Sequence, residues 1–143
     1  TYLTEHTPPY PAYSSVFNSS FGANGGIYNK AGRGIPDVLA LGDNLAIFHG
    51  GNMTTIGGIS VSAPIWASII TRINAERLSI GKSTVGFINP TLYANPELMH
   101  DIVEGNNPGC GTNGFNASTG WDPVTGFGTP NYPALLNYFI SSQ

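Results

Sequence analysis

Apolar residues follow a helical rhythm over residues 57–77, where Ile65, Ile69, Ile70 and Ile73 recur with Trp66 beside Ile65 and Ile69. The spacing predicts a long, largely apolar and buried helix. It starts at a glycine pair, Gly57-Gly58, and stops near Gly81, a residue type suited to ending a helix. A second helical pattern runs over residues 131–141, with Tyr132, Leu135, Leu136 and Phe139 on one face. Residues 38–41 are a short apolar run of the kind that forms a buried strand, and residues 45–48 predict a second strand. The turn residues Gly42-Asp43-Asn44 separate them, and His49 closes the second. Asn89-Pro90 predicts the start of a short helix anchored by Leu92 and Tyr93, because proline fits the first helical turn. Residues 1–26 read as irregular: the run Thr7-Pro8-Pro9-Tyr10-Pro11 lacks backbone donors and restricts its neighbours.

Composition changes this picture in one respect. Charged residues make up only 9% of the chain, against 41% hydrophobic. The surface is therefore mostly Ser, Thr, Asn and Gly, and the 19 glycines and 11 prolines point to an ordered, loop-rich domain. The length suits one domain at most. A net charge of −3, with Lys30, Arg33, Arg72, Arg77 and Lys82 scattered, gives no footprint for nucleic acid. No apolar run reaches the roughly 18 residues of a membrane span, and no signal-peptide pattern opens the chain. Thr1 in place of an initiator methionine leads to the expectation of a mature, processed or partial chain. Sequons at Asn18, Asn52 and Asn116 favour a secreted protein carrying N-glycans. Cys110 is alone, so it is either a buried free thiol or paired with a cysteine outside these residues.

The candidate chemistry centres on Ser60. A serine on a glycine-rich turn at a helix N-terminus sits at the positive end of the helix dipole, beside backbone N–H groups that can bind an oxyanion. The same pattern also serves as a plain N-cap. His6 reads as a surface residue of the proline-rich opening, and Asp37 as a turn cap after Pro36. His49 lies near Ser60 in sequence only.

The stretch Gly57-Gly58-Ile59-Ser60-Val61-Ser62-Ala63-Pro64 resembles the nucleophile signature of subtilisin-like serine peptidases, and most closely that of the sedolisins, the serine-carboxyl peptidases that include tripeptidyl-peptidases. Ile59 stands where that family has threonine. Further segments resemble the family in the same order: Pro36-Asp37-Val38 with Ala40, then Gly86-Phe87-Ile88-Asn89-Pro90-Thr91-Leu92-Tyr93, then His100-Asp101-Ile102, and finally residues 121–130 from Trp121-Asp122-Pro123 to Gly128-Thr129-Pro130.

The resemblance implies an α/β fold. The chain would be the C-terminal portion of a subtilisin-like fold, with a parallel sheet, flanking helices and a calcium-binding loop region. Residues 1–143 would form the C-terminal part of the catalytic domain, with its N-terminal part missing. Ser60 would be the nucleophile in serine-type peptide hydrolysis at acidic pH, by a tripeptidyl-peptidase or an endopeptidase. One Ca²⁺ would be held by Asp101 and Asp122 and by the carbonyls of Ile102, Ser118 and Gly120, in keeping with calcium's preference for about six to eight oxygens. That ion would close both ends of the polar loop at residues 104–115. Glu97 and Asp101 have the spacing of the family's carboxylate pair but the wrong place in the chain, and are read as a decoy. The base-supplying pair and the oxyanion aspartate would lie in the missing part, so the isolated residues are expected to be inactive. Partners are then a peptide or protein substrate and that N-terminal part, with no nucleic acid and no membrane. The expected location is secreted, or else lysosomal or vacuolar. Two alternatives remain: a catalytically incompetent relative that binds or regulates, and a calcium-stabilised structural module.

Overall fold

The structure, a computed structural model, describes residues 33–108 and 114–142. The readings of His6, Asn18, Lys30 and Cys110 fall outside the described residues. The chain divides into two compact units, one built from residues 38–100 and 128–142, the other from residues 33–37, 101–108 and 114–127.

The larger unit begins with residues 38–42 in an extended path, followed by a hairpin of β1 (Leu45–His49) and β2 (Asn52–Ile56). The strands pair antiparallel, from Leu45 opposite Ile56 to His49 opposite Asn52. Their two-residue loop, Gly50-Gly51, has φ of 58° and 81°. Positive φ at both positions is what a tight turn needs to match the right-handed twist of its strands, and glycine provides it without steric cost.

Helix α1 (Ile59–Ser79) follows at once, with Gly58 as its N-cap. Its end is decided by local chemistry. Gly81, at φ 79°, donates to the Leu78 carbonyl, and the Lys82 N–H donates to that of Arg77. These two bonds form a Schellman closure. Helix α2 (Asn89–Ala94) carries proline in its first turn and buries Leu92. A 3-10 turn, Pro96–Leu98, leads into β3 (Met99–His100), which pairs antiparallel with β4 (Thr129–Pro130). Helix α3 (Tyr132–Ser141) starts at Asn131, whose side-chain oxygen accepts from the Ala134 N–H, satisfying one orphan donor of the first turn. It packs against α1, with Ile73, Leu135 and Phe139 fully or almost fully buried.

The smaller unit is built around Trp121 and Phe127, both buried. The Trp121 indole donates to the Pro36 carbonyl at 2.9 Å, and the Phe127 N–H to that of Asp37 at 3.0 Å. A tight turn joins Asp122 and Gly126 by two backbone bonds.

Three expectations change. Both sheets among the described residues are antiparallel pairs, so the parallel sheet of the expected fold is not formed there. Residues 38–41 are extended without being a strand, because the carbonyls of Leu39, Ala40 and Leu41 are taken by side chains of α1. Helix α1 is less buried than its composition suggests. Only Val61, Ile73 and Arg77 are buried, while Ile65, Trp66, Ile69 and Ile70 are half-buried. The decoy reading of Glu97 and Asp101 holds: Glu97 sits in the 3-10 turn and Asp101 beyond β3, so the two share no helix face. Among the described residues no helix is long and apolar enough to cross a membrane.

Candidate active site

Ser60 occupies the second position of α1 and is exposed. It is not the cap: Gly58 is, and no side chain caps this end. The plain N-cap role therefore does not account for the serine. Gly58 has φ 122°, a conformation that L side chains rarely adopt. The Val61 N–H donates back to the Gly58 carbonyl. The amides of Ile59 and Ser60, as first-turn donors, have no intrahelical acceptor and face the start of the helix dipole. Pro64 adds a second irregularity. It lies four residues after Ser60 within the helix and has no N–H to return to the Ser60 carbonyl.

The turn is laid against residues 39–43. Gly58 donates its N–H to the Gly42 carbonyl at 2.6 Å. The Ser62 hydroxyl lies 3.1 Å from the Ala40 carbonyl and 3.3 Å from that of Leu41. One turn further along the same face, the Trp66 indole donates to the Leu39 carbonyl at 2.9 Å. A side chain on Gly57 would come within 2.7 Å of the Asp43 carboxylate, and one on Gly42 within 2.8 Å of Ser62 Oγ. A methyl at either position would displace the side chain it meets, Asp43 in one case and Ser62 in the other. The sequence marks Asp43 as a turn residue and gives Ser62 no role of its own; the i, i+4 spacing of Ser62 and Trp66 is the available signal.

Among the described residues no imidazole or carboxylate hydrogen-bonds the Ser60 hydroxyl. Asp43 Oδ1 accepts instead from the Asn44 N–H at 2.9 Å. Asp37 is ion-paired with Arg33, whose Nη2 reaches both carboxylate oxygens at 2.6 Å. His49 is exposed beside the hairpin loop, paired with Asn52.

The five residues expected to hold calcium lie in the smaller unit. Asp122 is wholly buried. Its Oδ1 accepts from the N–H groups of Val124 and Thr125, both at 2.8 Å, and its Oδ2 from Ser118 at 3.0 Å. The Thr125 hydroxyl lies 3.2 Å from Oδ2. Asp101 is exposed, and its Oδ2 accepts from the Gly120 N–H at 2.8 Å. The two carboxylates thus grip the 118–122 segment at alternate amides. The polar loop between them is closed by backbone bonds. Asn106 bridges Asn116, the Asn107 N–H donates to Phe115, and the Ala117 N–H to Gly105. Among the described residues no three His, Cys, Asp or Glu side chains gather as a metal cluster. The sequon residues Asn52 and Asn116 are both exposed.

No family model matches the chain. Among curated proteins it is similar to tripeptidyl-peptidase sed1 of Aspergillus fumigatus, with 63% identity over 98% of this chain and 22% of that protein. It is 57% identical to aorsin of Aspergillus oryzae, over 98% of this chain and 21% of that one. Tripeptidyl-peptidase 1 of Dictyostelium discoideum is 43% identical over 83% of this chain and 21% of its own length. The chain therefore spans about a fifth of the length of these relatives. A solved structure of Pseudomonas sedolisin, a serine-carboxyl proteinase complexed with two molecules of pseudo-iodotyrostatin, matches 64% of this chain and 25% of its own. Its TM-score is 0.52 and its identity 33%.

Proposed function

The chain belongs to the sedolisin family of serine-carboxyl peptidases, and on that footing we propose that residues 1–143 form the C-terminal part of a catalytic domain whose nucleophile is Ser60. The observation that carries this reading is the position of Ser60: exposed in the first turn of α1, not used as a cap, and beside amides without intrahelical acceptors. Its hydroxyl attacks the scissile peptide carbonyl, and those amides take up charge on the carbonyl oxygen. The leaving amine departs, and water hydrolyses the acyl-enzyme. A serine hydroxyl needs a base within hydrogen-bond reach. We assign that base to a carboxylate in the portion of the relatives' length that this chain does not span. These residues by themselves are then inactive. A carboxylate base implies an acidic working range and suits a secreted or vacuolar enzyme.

One calcium ion belongs to the same proposal. The donor set fits it: two carboxylates and the carbonyls of Ile102, Ser118 and Gly120 are all hard oxygens. Asp122 is a buried negative charge whose hydrogen-bond donors are all neutral groups, and a nearby cation would balance it. When bound, the ion supplies that charge balance; Asp101 and Asp122 already hold the 118–122 segment in place through its amides.

The test is Ser60→Ala in the complete enzyme, assayed at acidic pH with a tripeptide-releasing substrate and an internally quenched peptide. Activity falls by about a thousandfold or more, as for loss of a covalent nucleophile. Undiminished turnover would overturn the assignment and favour the reading as a non-catalytic binding relative. The two substrates separate tripeptide release from internal cleavage.

A further inference from the structure

The side chain two residues beyond the nucleophile makes contacts that helix formation does not require. Ser62 is already inside α1, so its backbone is satisfied by the helix, and a serine there is usually turned to solvent or bonded to its own preceding turn. Its hydroxyl instead reaches outside the helix to the Ala40 and Leu41 carbonyls. Gly42 lies directly against it: a Cβ there would be 2.8 Å from Ser62 Oγ and would force the hydroxyl to move, its other neighbours being at ordinary contact distance. The carbonyl of that same glycine accepts the Gly58 N–H, the bond that anchors the helix cap two residues before Ser60. One short extended segment therefore holds the nucleophile's turn from both sides, through Gly58 before it and Ser62 after it.

We infer that Ser62 is a positioning residue for the peptidase reaction and that Gly42 is the gap which lets it act. The inference rests on the reading of Ser60 as nucleophile. The hydroxyl clamp fixes how far the first turn of α1 is rotated about its axis. Rotation of that turn carries the Ser60 hydroxyl and the first-turn amides together, so a small error misaligns nucleophile and oxyanion donors at once. Without the clamp the turn retains its helical bonds and loses its registration. Substrate binding then changes little while the chemical step slows.

The experiment is a double-mutant cycle in the complete enzyme, with Ser62→Ala, Gly42→Ala and the pair, and with Ser62→Thr as the conservative variant. Ser62→Ala is expected to lower kcat about tenfold or more with KM within about twofold, the pattern of a lost transition-state interaction. Ser62→Thr keeps a hydroxyl and restores most of kcat. Gly42→Ala alone drives a methyl into Ser62 Oγ and lowers kcat. The pair is no worse than Ser62→Ala, since the clashing oxygen has gone. Amide exchange at Gly58 gives a readout independent of activity: it speeds up in both single variants, including one too damaged to assay. Wild-type kcat in Ser62→Ala, or losses that simply add in the pair, would overturn the inference. If Ser60→Ala is inactive while Ser62→Ala is normal, only the positioning role fails. If Ser60→Ala is active, the nucleophile reading fails first.

Discussion

Arg77 shows how far a single side chain can depart from its sequence context. It lies on α1 between Glu76 and Leu78 and is a charged residue, yet it is buried. Its Nε donates to the Ser83 carbonyl at 2.7 Å, and its Nη1 to the carbonyls of Phe139 and Ser142. Lys82 adds bonds from Nζ to Ile140 and Ser142, at 2.6 and 2.7 Å. Two cations thus meet the carbonyl end of α3, where orphan acceptors and the negative end of the helix dipole gather. Arg77→Met keeps the aliphatic bulk but removes the guanidinium: the Ser83 carbonyl loses its donor, while Phe139 and Ser142 keep only the weaker set from the Ser142 hydroxyl and Lys82. The expected loss is about 2–4 kcal/mol in denaturant unfolding. Asp122 is the acidic counterpart. Asp122→Asn changes almost no volume, but an amide nitrogen cannot accept the N–H bonds that both carboxylate oxygens now take. A loss of about 1–3 kcal/mol is expected in the same measurement, and an unchanged midpoint would mean that the turn is held some other way.

Secondary-structure elements here are terminated by local chemistry and oriented by side chains reaching outside them. Gly81 ends α1 in the left-handed region, so Gly81→Ala is expected to cost about 1 kcal/mol, read as a lower thermal midpoint. Asn131→Ala removes the cap of α3 and is expected to cost about 1 kcal/mol as well. The β1–β2 hairpin has little to bury: Phe48 and Met53, paired across the strands, are 78% and 70% exposed. Its geometry is set by the Gly50-Gly51 loop rather than by a core. Helix α1 is held at its start by Ser62 and Trp66 on the extended segment, and further along, where Ile73 is buried, by packing against α3.

At the level of the whole molecule, the two units rest on different principles. The larger has an apolar core shared between helices. Among its described residues the smaller has two buried aromatic residues and a network of backbone bonds onto carboxylates. A segment held this way gains from a bound cation, because among its described residues little apolar burial opposes conformational entropy. Removing calcium from the complete enzyme with a chelator is expected to lower its thermal midpoint by several degrees, with recovery on adding Ca²⁺ but not Mg²⁺. Insensitivity of the midpoint to chelation would count against the ion at Asp101 and Asp122.

What the sequence determined by itself is local. The stop at Gly81, the proline start of α2 and the extents of the two long helices depend on residues within a turn or two of one another, and each is found where its pattern predicts, whereas the predicted burial of the Ile65, Trp66, Ile69 and Ile70 face of α1 is only partial. The order of its motifs was also enough to indicate the family. β2 was overlooked because Asn52-Met53-Thr54-Thr55-Ile56 lacks a clear alternation, although the Gly50-Gly51 loop before it was the signal of a hairpin. Only the tertiary structure decided that residues 38–41 give their carbonyls to α1 instead of to a sheet. It alone buried Arg77 over the end of a helix some sixty residues away, with a separation of 62 to Phe139. It alone set Ser62 against Gly42. These are contacts between segments distant in the chain, and no periodicity encodes which carbonyl a hydroxyl or a guanidinium will find once the core has closed.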